Sequence, residues 1–86
     1  MYAVAVKRSA LKELRGLPPD ARERVVSLID ALTENPRPAG VRKVVGAEGL
    51  YRVRVGPYRI LYELDEPARR LVITAVRKRE DAYRRL

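Results

Sequence analysis

Arg52, Arg54 and Arg59 lie in two runs, Leu50 to Val55 and Tyr58 to Leu64, that alternate with a period of two around Gly56-Pro57. If both runs are strands, Arg52 and Arg54 share one face, opposite Tyr51, Val53 and Val55. Arg59, Leu61 and Glu63 share the equivalent face of the second strand, opposite Tyr58, Ile60, Tyr62 and Leu64. A type II′ turn at Gly56-Pro57 pairs Val55 with Tyr58, and therefore Arg54 with Arg59. Two guanidinium groups facing each other across a ladder repel by a few tenths of a kcal/mol to about 1 kcal/mol. The pair makes sense where an anion lies between them, since the planar fork of Arg matches phosphate oxygens. Arginine-rich strand faces also serve solubility and blunt sheet edges, and Glu63 offers a neutralising partner.

A second group closes the chain. Arg77-Lys78-Arg79 brings three cations to the end of a strand, and Tyr83 follows Arg79 by four residues. If Glu80 to Leu86 is helical, Arg79 and Tyr83 are neighbours on one face. A cation beside an aromatic can clamp a phosphate and stack on a base. The competing reading is a solvated basic tail with Tyr83 packed against the core.

Composition removes most other chemistries. The chain of 86 residues has neither Cys nor His. That excludes a disulfide framework, a thiolate nucleophile, a Cys- or His-ligated zinc site and a Ser-His-Asp triad. Glu63 on a strand, with Asp65 and Glu66 in a turn, suggests no preformed metal cage. Any catalysis here must use carboxylates, Lys, Arg, Tyr or hydroxyls, and no cofactor is expected. Lys+Arg 19 against Asp+Glu 11 gives a net charge of +8, which points to a polyanionic or acidic partner. Residues 1–40 carry seven basic and five acidic side chains, and residues 41–86 carry twelve and six, so the second half holds most of the excess. No apolar run approaches the roughly 20 residues that span a bilayer, and no signal peptide is visible. A soluble cytoplasmic protein of one domain, residues 1–86, is expected.

The elements that must position these groups follow from pattern. Tyr2 to Lys7 alternates as a strand. Ser9 offers an N-cap for a short helix through Ala10, Leu11 and Leu14 that Gly16 stops. Pro19 and Asp20 open a second, amphipathic helix whose stripe is Ala21, Val25, Leu28, Ile29 and Leu32. Asn35 to Gly40 is a loop, because Pro36 and Pro38 cannot continue the helix. Val41 to Val45, Leu50 to Val55, Tyr58 to Leu64 and Leu71 to Val76 read as strands, and Glu80 to Leu86 as a short tail helix. The expected fold is α+β: a β-α-α-β-β-β order, with an antiparallel sheet packed on two N-terminal helices. The helices cover one face and leave the basic residues on the other.

With these residues in this order, the chain resembles the RelE/ParE superfamily of toxins from bacterial type II toxin–antitoxin systems. The resemblance is most specific in Gly49-Leu50-Tyr51-Arg52-Val53-Arg54-Val55-Gly56-Pro57-Tyr58-Arg59-Ile60-Leu61-Tyr62-Glu63 and in Ala75-Val76-Arg77-Lys78-Arg79-Glu80-Asp81-Ala82-Tyr83. It implies a microbial-RNase-like fold and, in the RelE-like branch, a ribosome-dependent endoribonuclease that cuts mRNA in the ribosomal A site through the RNA 2′-OH and so inhibits translation. The positions that match the family's site are Arg52, Arg54, Arg59, Arg79 and Tyr83, with Lys78 beside Arg79. Arg54, Arg59, Arg79 and Tyr83 are the expected catalytic residues, and Arg52 and Lys78, together with the basic Arg42, Lys43 and Arg77, the expected RNA-binding ones. The strand positions of relatives are often Lys, whereas Arg52 and Arg54 cannot act as general bases. Proton transfer then falls to Tyr83 or Lys78. The implied partners are an acidic antitoxin, mRNA and the 70S ribosome with its rRNA; neither a membrane nor a small-molecule cofactor is among them. The alternatives are a ParE-like, non-enzymatic inhibitor of DNA gyrase and a catalytically weak RNA-binding relative.

Overall fold

In the computed structural model, which describes residues 1–78, the chain passes from β1 (Ala3–Val6) almost directly into α1 (Arg8–Arg15). Lys7 makes the junction: its N–H donates to the Ile73 carbonyl at 2.9 Å, and its carbonyl accepts the Leu11 N–H at 2.8 Å. The end of β1 therefore sets the start of the helix. Ser9, expected as the N-cap, is instead the second residue of α1, and Lys7 takes the cap position without a side-chain hydrogen bond. α2 (Pro19–Glu34) starts on Pro19, whose missing N–H costs nothing in the first turn, and carries Asp20 at the positive end of the dipole. Arg22 closes the connection between the helices by donating from Nη2 to the carbonyls of Arg15 and Leu17 at 3.2 and 3.1 Å.

Four strands follow the helices, one more than the β-α-α-β-β-β order counts. They are β2 (Arg42–Lys43), β3 (Leu50–Val55), β4 (Tyr58–Asp65) and β5 (Arg70–Lys78). β2 keeps only two of the residues from Val41 to Val45, because Val44 already donates its N–H to Leu50 across the next turn and Val45 is 98% exposed. β5 reaches past Val76 at one end because Arg77 and Lys78 still pair with β4.

The sheet order is β1-β5-β4-β3-β2. Three of its ladders are antiparallel, as expected, but β1 runs parallel to β5 with Val4 opposite Leu71 and Val6 opposite Ile73. A parallel pair needs a long crossover, and the helices with β2 to β4 supply it. β5 also holds one extra residue, Thr74, between the Ile73–Tyr62 and Ala75–Leu61 pairs, and its hydroxyl donates to the Leu61 carbonyl at 3.2 Å.

One face of the sheet carries the core. Tyr51, Val53, Ile60, Tyr62, Leu71, Ile73 and Val76 meet Ala10 and Leu14 of α1 and Val25, Ile29 and Leu32 of α2. The Tyr51 and Tyr62 rings stack with centroids 5.8 Å apart, and the buried Tyr62 hydroxyl donates to the Pro36 carbonyl at 2.5 Å.

Two predictions follow from this packing. Leu32→Ala, at a position with no exposure, is expected to lose about 2–5 kcal/mol in urea denaturation. Burial, reinforced by the Tyr51 phenol, pushes the Tyr62 phenol up to about 12. An unfolded phenol ionises near 10, so this contribution is complete below about pH 10 and is lost as pH rises towards about 12. The urea midpoint should fall across that window, and Tyr62→Phe should make the fall shallower.

Candidate functional site

The β3–β4 hairpin sets the geometry of the site. Gly56 has φ 56° and Pro57 is held at negative φ, which is the type II′ combination. The resulting register places Val55 opposite Tyr58, Arg54 opposite Arg59 and Arg52 opposite Leu61. β2 then adds Arg42 opposite Arg52. Since the Tyr and aliphatic residues between them are buried under the helices, these arginines stand on the open face. Arg42, Arg52, Arg54 and Arg59 line one hollow of about 290 Å³ together with Gly40. Gly40 has φ 87°, a conformation that suits glycine where the loop after α2 turns into β2.

Among the described residues, no carboxylate lines this hollow. Glu63 lies further along β4 and opens on a different depression, beside Glu48 and Asp65. The four guanidinium groups can grip an anion and orient it through their planar forks. They cannot take up a proton from a reacting hydroxyl. Among the described residues no group of His, Cys, Asp and Glu could hold a metal ion, and no helix is long and apolar enough to cross a membrane.

The remaining sequence candidates divide. Arg77 extends the row by pairing with Arg59, but its Nε donates to Glu13 Oε2 at 2.9 Å, and it opens on a neighbouring hollow. Lys78 pairs with Tyr58, is exposed and lines that second hollow too. Lys43 is opposite Tyr51, so it lies on the other side of the sheet from Arg42, in a depression with Arg37 and Glu66. Arg79, Tyr83 and the expected tail helix lie outside the described residues.

Two groups had no signal in the sequence. Glu13 reaches β5 from α1 across 64 residues, and no periodicity links the two. Arg37 binds Glu66 through both carboxylate oxygens and also donates to the Tyr51 hydroxyl at 3.2 Å. Its guanidinium sits 5.5 Å from the centre of the Tyr51 ring. The Arg37 hydrogen bonds hold the Glu66 carboxyl below the usual carboxylate range. This clamp ties the loop after α2 to the β4–β5 turn, at the far end of the sheet from the hairpin.

Comparison with known proteins agrees with this architecture. The family model for the ParE toxin of type II toxin-antitoxin system, parDE, matches residues 4–83. A Methanocaldococcus jannaschii protein bearing the name RelE1 is 31% identical over 86 residues, covering 96% of both chains. The Mycobacterium tuberculosis toxin RelE is 31% identical over 84 residues, covering 96% of this chain and 87% of its own. Among solved structures, the archaeal RelE–RelB complex from Pyrococcus horikoshii matches with a TM-score of 0.82 at 29% identity, covering 91% of this chain and 94% of that one.

The facing arginines make a prediction of their own. Arg54→Gln removes the repulsion across the ladder and is expected to raise stability by about 0.2–1 kcal/mol in denaturant titration. The same change should reduce the rise in melting temperature that added inorganic phosphate gives the wild type, because a ligand stabilises only in proportion to its binding.

Proposed function

Since the chain belongs to the ParE toxin family of type II toxin–antitoxin systems, we propose that it is a toxin of the RelE kind, a metal-independent endoribonuclease that cuts mRNA in the ribosomal A site. The observation that carries this reading is the hollow on the open sheet face where Arg42, Arg52, Arg54 and Arg59 come together. RNA brings its own nucleophile. The 2′-oxygen attacks phosphorus, the bond to the 5′-oxygen breaks, and a 2′,3′-cyclic phosphate and a 5′-hydroxyl result. The protein then has to hold the phosphate in line and stabilise the charge that builds on its oxygens. Arg59 is assigned that charge, with Arg54 beside it and Arg42 and Arg52 on the flanking backbone.

Arg79 is assigned to the same oxygens and Tyr83 to proton transfer or base stacking. Both assignments rest on the sequence motif. Lys78, exposed at the end of β5, is a further candidate for proton transfer, one that the sequence also names. The ribosome supplies the rRNA and mRNA backbone on which so basic a face can settle. The neutralising partner is an acidic antitoxin: the Pyrococcus horikoshii relative is solved as a RelE–RelB complex, and a net charge of +8 favours an acidic chain as cover. Action on ribosomes places the protein in the cytoplasm.

One observation favours a second reading. The matching family model is described by ParE, and a toxin of that name inhibiting DNA gyrase needs no cleavage chemistry. Primer extension on a reporter mRNA in a translating extract separates the two. Cuts that require ribosomes, and that fall about 10²–10³-fold with Arg59→Ala, are expected. Uncut mRNA in the presence of active toxin, together with inhibited gyrase supercoiling, would assign the chain to the second class.

A further inference from the structure

β1 covers β5 only from Arg70 to Ile73, so among the described residues the outer edge of β5 beyond Ile73 has no strand partner. Glu13 of α1 stands there. Its Oε1 accepts the Val76 N–H at 3.0 Å, and its Oε2 accepts the Arg77 Nε–H at 2.9 Å. One carboxylate thus satisfies the strand edge and fixes the next side chain, and Glu13 and Arg77 are each 29% exposed.

Fixing a guanidinium at Nε has a chemical consequence. The group has two hydrogen-bonding edges, one that includes Nε and one formed by Nη1 and Nη2. The carboxylate takes the first, and the end-on pair remains for another acceptor. Arg77 is also the third arginine in a row with Arg54 and Arg59, and it opens on a hollow of about 550 Å³ shared with Lys12 and Lys78. Glu13 supplies the one carboxylate among the described residues that line that hollow, which offsets the repulsion of the row without touching the hollow that holds Arg54 and Arg59.

We propose that Glu13 is a positioning residue that holds Arg77 so that its Nη pair meets the RNA phosphate next to the one gripped by Arg54 and Arg59. The proposal rests on the reading of the open face as an RNA-backbone site. It assigns Glu13 no contact with the substrate. Its effect passes through Arg77, and a second, separable effect on stability passes through Val76.

A double-mutant cycle in the full chain distinguishes these routes. On translating ribosomes, Glu13→Ala is expected to slow cleavage roughly tenfold to a hundredfold, the cost of a misplaced ligand. In an Arg77→Ala background the same change should alter the rate less than about twofold, while the drop in melting temperature persists in both backgrounds. Equal slowing in both backgrounds would show that Glu13 acts only through the strand edge, and no slowing in either would remove its role; both overturn the proposal. A second measurement does not depend on cleavage. The Arg77 Nε–H resonance should be protected from exchange in the wild type, broadened by Glu13→Ala, and shifted when a short 2′-O-methyl RNA is added to the wild type. A protected resonance that the RNA leaves unmoved overturns the proposal. A shifted resonance in a protein that cuts no mRNA keeps Glu13 in its role and sinks the nuclease reading instead.

Discussion

The register of the β3–β4 hairpin is the constraint on which the site depends. In a strand a slip of one residue moves every side chain to the opposite face. Here that slip would bury Arg52, Arg54 and Arg59 under the helices and expose Tyr51, Val53, Tyr58 and Ile60. The cost of burying three guanidinium groups under the helices makes that alternative inaccessible. A two-residue turn at Gly56-Pro57 and a core built on the aromatic face therefore specify the same pairing independently. The repulsion between Arg54 and Arg59 is the cost of that pairing, small against the apolar burial on the other side of the sheet.

Around this hairpin the fold closes its two ends differently. At the far end, Arg37 and Glu66 join the loop after α2 to the β4–β5 turn, and Arg37 also engages the Tyr51 that stacks on Tyr62. Near the hairpin, Glu13 stands in for a missing strand along β5. Positive charge gathers on the open face and around the hairpin, where Arg24 packs against Gly56, while Glu48, Glu63 and Asp65 gather at the other end. A polyanion approaching such a molecule is drawn more strongly to the open face and hairpin than to the far end, where Arg37, Lys43 and Arg70 stand among these carboxylates, and the difference orients it.

What the sequence made legible was what local pattern encodes. Period two fixed the faces of β3 and β4, Gly56-Pro57 fixed their turn, and the apolar stripe fixed the inward side of α2. Ser9 misled because its capping chemistry is local, whereas the start of α1 is decided by where Lys7 leaves the sheet. The parallel pairing of β1 with β5 was hidden for a similar reason. A run of alternating apolar residues reads the same beside a parallel or an antiparallel partner, and only the crossover decides. Lys43 follows Arg42 in sequence but faces the other way, a separation that period two predicts once β2 is known to pair in register with β3. The Glu13–Arg77 contact lies beyond any pattern, since it joins helix and strand by tertiary packing alone.

The central claim is that Arg54 and Arg59 together hold one phosphate of the RNA strand. Its most direct test is a structure of the toxin on a ribosome whose A-site codon carries 2′-O-methyl groups, so that attack by the 2′-oxygen is blocked. The account predicts both guanidinium groups within hydrogen-bonding reach, about 3 Å, of the same A-site phosphate. An open sheet face turned to solvent, with the RNA held by the helices or by the Glu48–Glu63–Asp65 end, would contradict it.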